Sequence, residues 1–337
     1  MIIYLSFRPS PAKAGRVGES YIICREVVLI RSLGSVRQLA GSARNDNSKI
    51  VPELPEVETI KRQLDKSIIE KKIISVEIIL PKMIKTPLKE FKRVVLGSAL
   101  KGIKRRAKLL IIELSSGYSL LIHLKMTGQL IFRPATKLSS GVVPRSRSEE
   151  RPRRNKHTHL IFHFSDKSKL LYNDLRQFGY IKLIKTIKIG EINKEYGPEP
   201  LNNNLTLSML KGLLAKKPRA KIKQFLMDQK NIAGIGNLYA DEILFYAGVR
   251  PTRIIKILKE KEIKKIFNGI KKILTEAIKY HGSSVENYVD ARGRAGEYHL
   301  RLKVYGRANQ PCKKCGAKIQ KIKLSGRGTH FCAKCQK

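Results

Sequence analysis

Pro52 and Glu53 stand side by side in the stretch NSKIVPELPEVETIKRQL, which begins at Asn47. A proline amine beside a carboxylic acid is a nucleophile beside a proton donor, provided the nitrogen is free. Within a peptide that nitrogen is an amide, its lone pair is delocalised, and it attacks nothing. Fifty-one residues precede it here. The pair therefore does chemistry only if the working chain begins at Pro52.

The second constellation is Cys312-x-x-Cys315 with Cys332-x-x-Cys335, sixteen residues apart. Two such knuckles offer four thiolates to one structural Zn²⁺. Between them GAKIQKIKLSGRGTHF alternates and then turns at Gly326-Arg327-Gly328. This predicts a β-hairpin with Arg327 at its tip, either in solvent or against a DNA groove or phosphate.

Four further patterns carry weaker chemistry. In LMDQKNIAGIGNLYADEIL, residues 226–244, Gly234-x-Gly236 follows a helical pattern and lacks the third glycine of a dinucleotide loop. A helix–turn–helix approaching phosphate fits better, with Asn237 a phosphate donor, an N-cap, or both. Lys108, in KRRAKLL, sits on a strand pattern between apolar neighbours; it is one exposed lysine among many unless it faces a site, where its pKa would shift readily. His157, His159 and His163 share one face of a strand pattern, which suits solvent or phosphate better than a metal, since no carboxylate is nearby in sequence. Arg176 and Phe178 lie two apart on an extended run, as a wedge for a base stack or as a surface arginine beside a core phenylalanine.

The elements that must position these residues read as follows. A helix with an acidic first turn is predicted from Leu54 to about Lys66. Strand-like runs follow (KKIISVEIIL, LKGIKRRAKLLIIEL, YSLLIHLKMTGQLIF, HTHLIFHFSD, KLLYND, GYIKLIK), and their punctuation predicts a β-sandwich or barrel. Between two of them lies RPATKLSSGVVPRSRSEERPRRNK, a polar basic loop. After GPEP the pattern turns helical, through TLSMLKGLLAKK, AKIKQFLMDQ, LYADEILFYAG and TRIIKILKEKEIKKIFNGIKKILTEAIKYHG. The fold class is α+β.

Composition narrows the partner. The formal net charge is +42 over 337 residues, which calls for a polyanion, nucleic acid before membrane. No apolar run approaches the roughly 20 residues of a spanning helix. Hydrophobic content of 42% supports real cores. Four of five cysteines cluster at the end, with Cys24 apart, which favours a metal site in a reducing compartment over a disulfide framework. Residues 1–50 hold two lysines and six arginines, against 42 and 19 in the remainder. That leader is expected to be either an organelle transit peptide or translated sequence upstream of the true start. Val51 stands where a GTG codon, read as a start, would place methionine.

Together these residues resemble the formamidopyrimidine-DNA glycosylase family, from Pro52 to Lys337. The motifs are PELPEVET, RRAK, HLKMTG, DLRQFG, LMDQKNIAGIGNLYADEIL, VYGRANQPCKKCG and GRGTHFCAKCQK. The resemblance implies a catalytic β-sandwich domain over 52–185, a helix–two-turn–helix domain over 200–295 and a β-hairpin zinc finger over 303–337. It implies a DNA glycosylase and AP lyase of base excision repair, a monomer acting on double-stranded DNA with oxidised purines. The expected location is cytoplasmic, or an organelle if the leader is a transit peptide. Pro52 resembles the nucleophile, Glu53 the general acid, Lys108 the group assisting β-elimination and Arg327 the one assisting δ-elimination. Met126, Arg176 and Phe178 match residues that fill the hole left by a flipped base. His157, Arg176, Lys217, Arg219, Lys223 and Asn237 look like DNA contacts, and the four cysteines imply one structural Zn²⁺ per chain. Gln177 departs from the family, which often has a second basic residue there. Two alternatives stay open: an endonuclease VIII-like enzyme for oxidised pyrimidines, and a catalytically silent DNA-binding protein if the leader is retained.

Overall fold

The computed structural model describes residues 51–135 and 155–337. The expectations for residues 1–50, Cys24 among them, and for most of the basic loop lie outside the described residues.

Helix α1 (Leu54–Ile68) forms because Leu54, Val57, Ile60, Leu64 and Ile68 recur at helical spacing, and all five are buried. Pro55 sits in its first turn, where a missing N–H leaves nothing unpaired. Then come β1 (Ile73–Ile78), α2 (Leu88–Val95), β2 (Leu100–Arg106), β3 (Leu109–Leu114), β4 (Tyr118–His123), β5 (Gly128–Arg133), β6 (Thr158–Phe164), β7 (Lys169–Asp174) and β8 (Tyr180–Lys185). They build two four-stranded sheets, ordered β1-β6-β7-β5 and β2-β3-β4-β8, with antiparallel pairing throughout. Inward residues of both sheets, such as Leu110, Ile112 and Ile122 against Leu160, Phe162 and Tyr172, share one core with α1. This is a β-sandwich.

Strand β3 is apolar on both faces because α3 (Ile189–Lys194) covers the outer one, Ile192 packing on Leu109, Ile111 and Leu121. The helical part comprises α4 (Leu207–Ala215), α5 (Ile222–Met227), α6 (Asn237–Ala247) and α7 (Glu260–Lys279). The long run read as helical from Thr252 is interrupted. A 3-10 turn at Ile255–Ile257 precedes α7, whose Glu262 carboxylate accepts the Lys259 N–H at 2.7 Å and fixes the helix start. Leu54, the first residue of α1, belongs to the core of these helices rather than to that of the sandwich. The hairpin of β9 (Gln320–Leu324) and β10 (Arg327–Phe331) closes the fold.

Candidate active site

Glu53 caps α1 and is 3% exposed. Its own N–H donates to Glu56 Oε2 at 2.9 Å. Its side chain reaches the first turn of α6, where Gly236 N donates to Oε2 at 2.5 Å and Leu238 N to Oε1 at 2.9 Å. A carboxyl group thus satisfies amides that a helix start leaves orphaned. The N-cap itself is Gly236, and Asn237 is the first residue inside the helix. The N-cap expectation for Asn237 is therefore corrected. The cap arrives from a distant part of the chain, and Asn237 Nδ2 instead donates to Gly328 O at 3.0 Å. Burial pushes Glu53 up to about 7, against the pull of Lys108 and the two amides.

Lys108 lies not on a strand, as its apolar neighbours suggested, but in the tight two-residue β2–β3 turn, where Ala107 before it holds a left-handed φ of 52°. Glu199 pins that turn, accepting Ala107 N at 2.7 Å and pairing with Arg105 at 2.7 Å and Arg106 at 3.1 Å. Burial lowers the Lys108 pKa; Glu53 and Glu56 oppose this and Arg327 adds to it. Among the described residues its ammonium has no hydrogen-bond partner. A Cβ on Gly236 would lie 2.4 Å from the Glu53 carboxyl carbon and 2.6 Å from Lys108 Nζ. Glycine is what allows the acid, the lysine and the helix start to converge.

Two participants escaped the sequence reading. Glu56 is buried, and its Oε1 accepts the Tyr239 hydroxyl at 2.6 Å and Ser283 N at 2.8 Å. Burial raises its pKa, the Tyr239 hydrogen bond opposing most strongly. The available signal was a second acid, three residues after Glu53, among apolar neighbours at the start of α1. His123 lies at the end of β4, where burial, then Lys125 and Lys108, push it down to about 3. It is a neutral imidazole at any working pH.

Arg327 is the first paired residue of β10, opposite Leu324, and not the tip. The tip is Ser325-Gly326, with φ of 47° and 76°; a two-residue hairpin turn needs left-handed backbone at both positions. Lys223 was expected on a phosphate, and its placement corrects this. It is 1% exposed, paired with Asp241 at 2.7 Å, and donates to Thr329 Oγ1 at 2.8 Å and Gly328 O at 3.2 Å. It ties α5 to the residues that follow Arg327. Lys217 and Arg219 are exposed, Lys217 pairing with Asp228 at 2.8 Å.

Met126, Arg176 and Phe178 come together. Arg176 Nη1 lies 2.9 Å from Met126 Sδ, and its guanidinium is 4.7 Å from the Phe178 ring centre. Phe178 is 54% exposed. The run is not extended as expected. It is a loop between β7 and β8, with Gln177 at φ 57°. Asp174 folds it, accepting Thr127 Oγ1 at 2.5 Å, Arg176 N at 3.2 Å and Gly179 N at 2.7 Å. The three histidines do not share a face either. His157 precedes β6, a bulge interrupts the register between Thr158 and Leu160, and buried His159 bonds Asp174 O at 2.7 Å.

The four cysteines converge. Sγ atoms of Cys312 and Cys335 are 3.9 Å apart, those of Cys315 and Cys332 3.5 Å, and all four lie within 4.8 Å of one another. Thiolates about 2.3 Å from a tetrahedral Zn²⁺ are about 3.8 Å apart, so the set fits zinc. Bound there, the ion cross-links the two ends of the hairpin.

Three family models match in chain order: the formamidopyrimidine-DNA glycosylase N-terminal domain over residues 51–181, its H2TH domain over 196–289, and a zinc finger found in FPG and IleRS over 309–337. The chain belongs to the formamidopyrimidine-DNA glycosylase family. A formamidopyrimidine-DNA glycosylase of Listeria monocytogenes is 43% identical over 290 residues, covering 85% of this chain and 100% of the relative. One from Pelotomaculum thermopropionicum is 41% identical over 290 residues, covering 85% and 99%. Among solved structures, Lactococcus lactis Fpg in complex with abasic-site DNA superposes at a TM-score of 0.75, with 38% identity and coverage of 85% and 99%. MutM in complex with carbocyclic 8-oxo-G DNA gives 0.75, with 39% identity and coverage of 85% and 100%. Within this glycosylase family the chain is a DNA-repair enzyme that binds DNA and carries a zinc finger. Among the described residues no helix is long and apolar enough to cross a membrane.

Proposed function

We propose that the chain is a bifunctional glycosylase and AP lyase that excises oxidised purines, 8-oxoguanine and formamidopyrimidines, from double-stranded DNA as a monomer with one zinc. The observation that carries this is the buried Glu53 carboxyl. It is pushed up to about 7, lies one peptide bond from Pro52, and sits beside an unpaired Lys108.

As a free terminus Pro52 has a secondary amine of pKa about 8, partly neutral at pH 7. It attacks C1′ of the damaged nucleoside, the glycosidic bond breaks, and the base leaves with the electron pair and takes up the proton that the attacking amine loses. Glu53 gives its proton to the ring oxygen as the sugar opens, and the nitrogen lone pair forms the Schiff base. Lys108 assists loss of the C2′ proton, on which the 3′ phosphate departs. Arg327 assists departure of the 5′ phosphate. Met126, Arg176 and Phe178 fill the vacated stack, while His157, Lys217, Arg219 and Asn237 contact phosphates.

The nitrogen must be free of Val51. The family match starts at residue 51, and a full-length relative is covered by 290 residues, which supports Pro52 as the working terminus. Borohydride trapping on an 8-oxoguanine duplex tests the reading. A protein beginning at Pro52 is expected to form a covalent adduct through that residue, and absence of the adduct sinks the enzyme. A Lactococcus lactis Fpg has also been solved with an oxidised pyrimidine in DNA, so a thymine glycol duplex is the second arm. Preferential trapping there would favour the pyrimidine reading. Sequencing the native N-terminus completes the test, since a retained Met1 favours the silent DNA-binding protein.

A further inference from the structure

Behind the segment that follows α7 is a cavity of about 520 Å³, walled by α1, the end of α7 and residues 290–297. None of Glu53, Lys108 or Arg327 lines it. Five cations do: Arg62, Lys66, Lys279, Arg292 and Arg294. Arg62 pairs with Glu58 at 2.8 Å. The other four side chains have no hydrogen-bond or ion-pair partner among the described residues, and all four are exposed. Among the described residues that line the cavity, two are carboxylates, Asp290 and Glu297. Asp290 is already engaged, accepting Gln63 Nε2 at 2.8 Å, Arg292 N at 2.9 Å and Arg294 N at 2.8 Å.

Unpaired cations gathered around a concavity repel one another, and a multivalent anion relieves that repulsion while making charge-assisted hydrogen bonds. The wall is also held in shape. Gln63 accepts Ala291 N at 2.8 Å, and Gly296 packs so closely that a Cβ would meet Gly282 O at 2.4 Å. The two arginines are thus presented from a braced turn, with Gly293 at φ 81° between them. We propose that this cavity is an oligophosphate-binding site, separate from the DNA-cleaving centre. Its ligand is a compact anion carrying several phosphates, either free or as a short stretch of nucleic-acid backbone. The same segment begins at Ser283, whose N–H binds Glu56, and includes Tyr288, whose hydroxyl donates to Glu56 O at 3.3 Å. An occupant would therefore steady the segment that abuts the catalytic acid's neighbour.

Calorimetric titration of the full chain with inorganic tripolyphosphate, in the presence of saturating undamaged duplex, tests this. The duplex blocks the DNA cleft, so one remaining site is expected. Arg292→Ser/Arg294→Ser and, separately, Lys66→Ser/Lys279→Ser should each weaken binding about tenfold. Lys264→Ser/Lys265→Ser, an equal charge change on exposed lysines of α7, should stay within about twofold. Unchanged duplex affinity and melting temperature confirm that the variants fold. A tetrathymidylate arm separates the sources: the backbone is the ligand if it alone binds with the same sensitivity to the variants. Loss of all anion binding when duplex is present, or equal binding by parent and both wall variants, overturns the proposal.

Discussion

Two lysines of this molecule lie against buried carboxyl groups, and they are built to opposite ends. Lys223 and Asp241 are 1% and 0% exposed, and the ammonium has three acceptors: Asp241, Thr329 and Gly328. Every donor is used, so the pair is a strut. Among the described residues Lys108 has no acceptor, and the Glu53 carboxyl beside it is turned toward the amides of Gly236 and Leu238. Burial lowers both amines, but only at this pair does the ammonium lack a hydrogen bond among the described residues while the acid is raised to about 7. A lysine beside a buried carboxyl group thus serves as a strut where its hydrogen bonds close and suits the proposed chemistry where they do not.

The sharpest way to break this contrast is Glu53→Gln. Base excision on an 8-oxoguanine duplex should fall about a thousandfold with duplex affinity retained; surviving excision in single-turnover assays would remove Glu53 from the chemistry. Next is Lys223→Met, expected to cost about 3–5 kcal/mol in urea denaturation because Asp241 is left buried and unpaired. Lys108→Met should instead shift stability by less than about 1 kcal/mol while slowing strand cleavage after excision. Similar stability losses in the two variants would erase the distinction. Removing zinc, verified by metal analysis, should weaken duplex binding at least about tenfold, since the hairpin that carries Arg327 loses its cross-link. The smallest effect concerns pH. As proposed, Glu53 acts protonated and titrates at about 7, while the Pro52 amine of pKa about 8 gains neutral fraction, so excision should drop about fivefold from pH 8 to pH 9 in single-turnover rates. A flat profile there would mean that burial does not set the acid.

What could be read in advance follows from where the information sits. The zinc ligands are legible because two thiolate pairs at short spacing are a local property of the chain. Helix α1 and the strands are legible because apolar period shows directly in the residues. Lys223 was misread because one lysine in a lysine-rich basic run looks like its neighbours, and only folding sets it against Asp241. The hairpin tip slipped because Gly326-Arg327-Gly328 offers two glycines, and register is decided by pairing with β9. The cap of α6 was invisible because its donor sequence and its acceptor are joined only in three dimensions. Glu56 looked like one more acid favouring a helix start, until Tyr239 and Ser283 closed around it.

Leu54 has one further consequence. The residue next to Glu53 is anchored in the helical core, and its N–H bonds Gly234 O at 3.0 Å, while the rest of its helix packs under the sheets. Neither half can melt while the other keeps its full interior. The described chain should therefore behave in a scanning calorimeter as one cooperative unit with a single endotherm, and a split expressed as two fragments would give each an unfilled hole where its counterpart belongs.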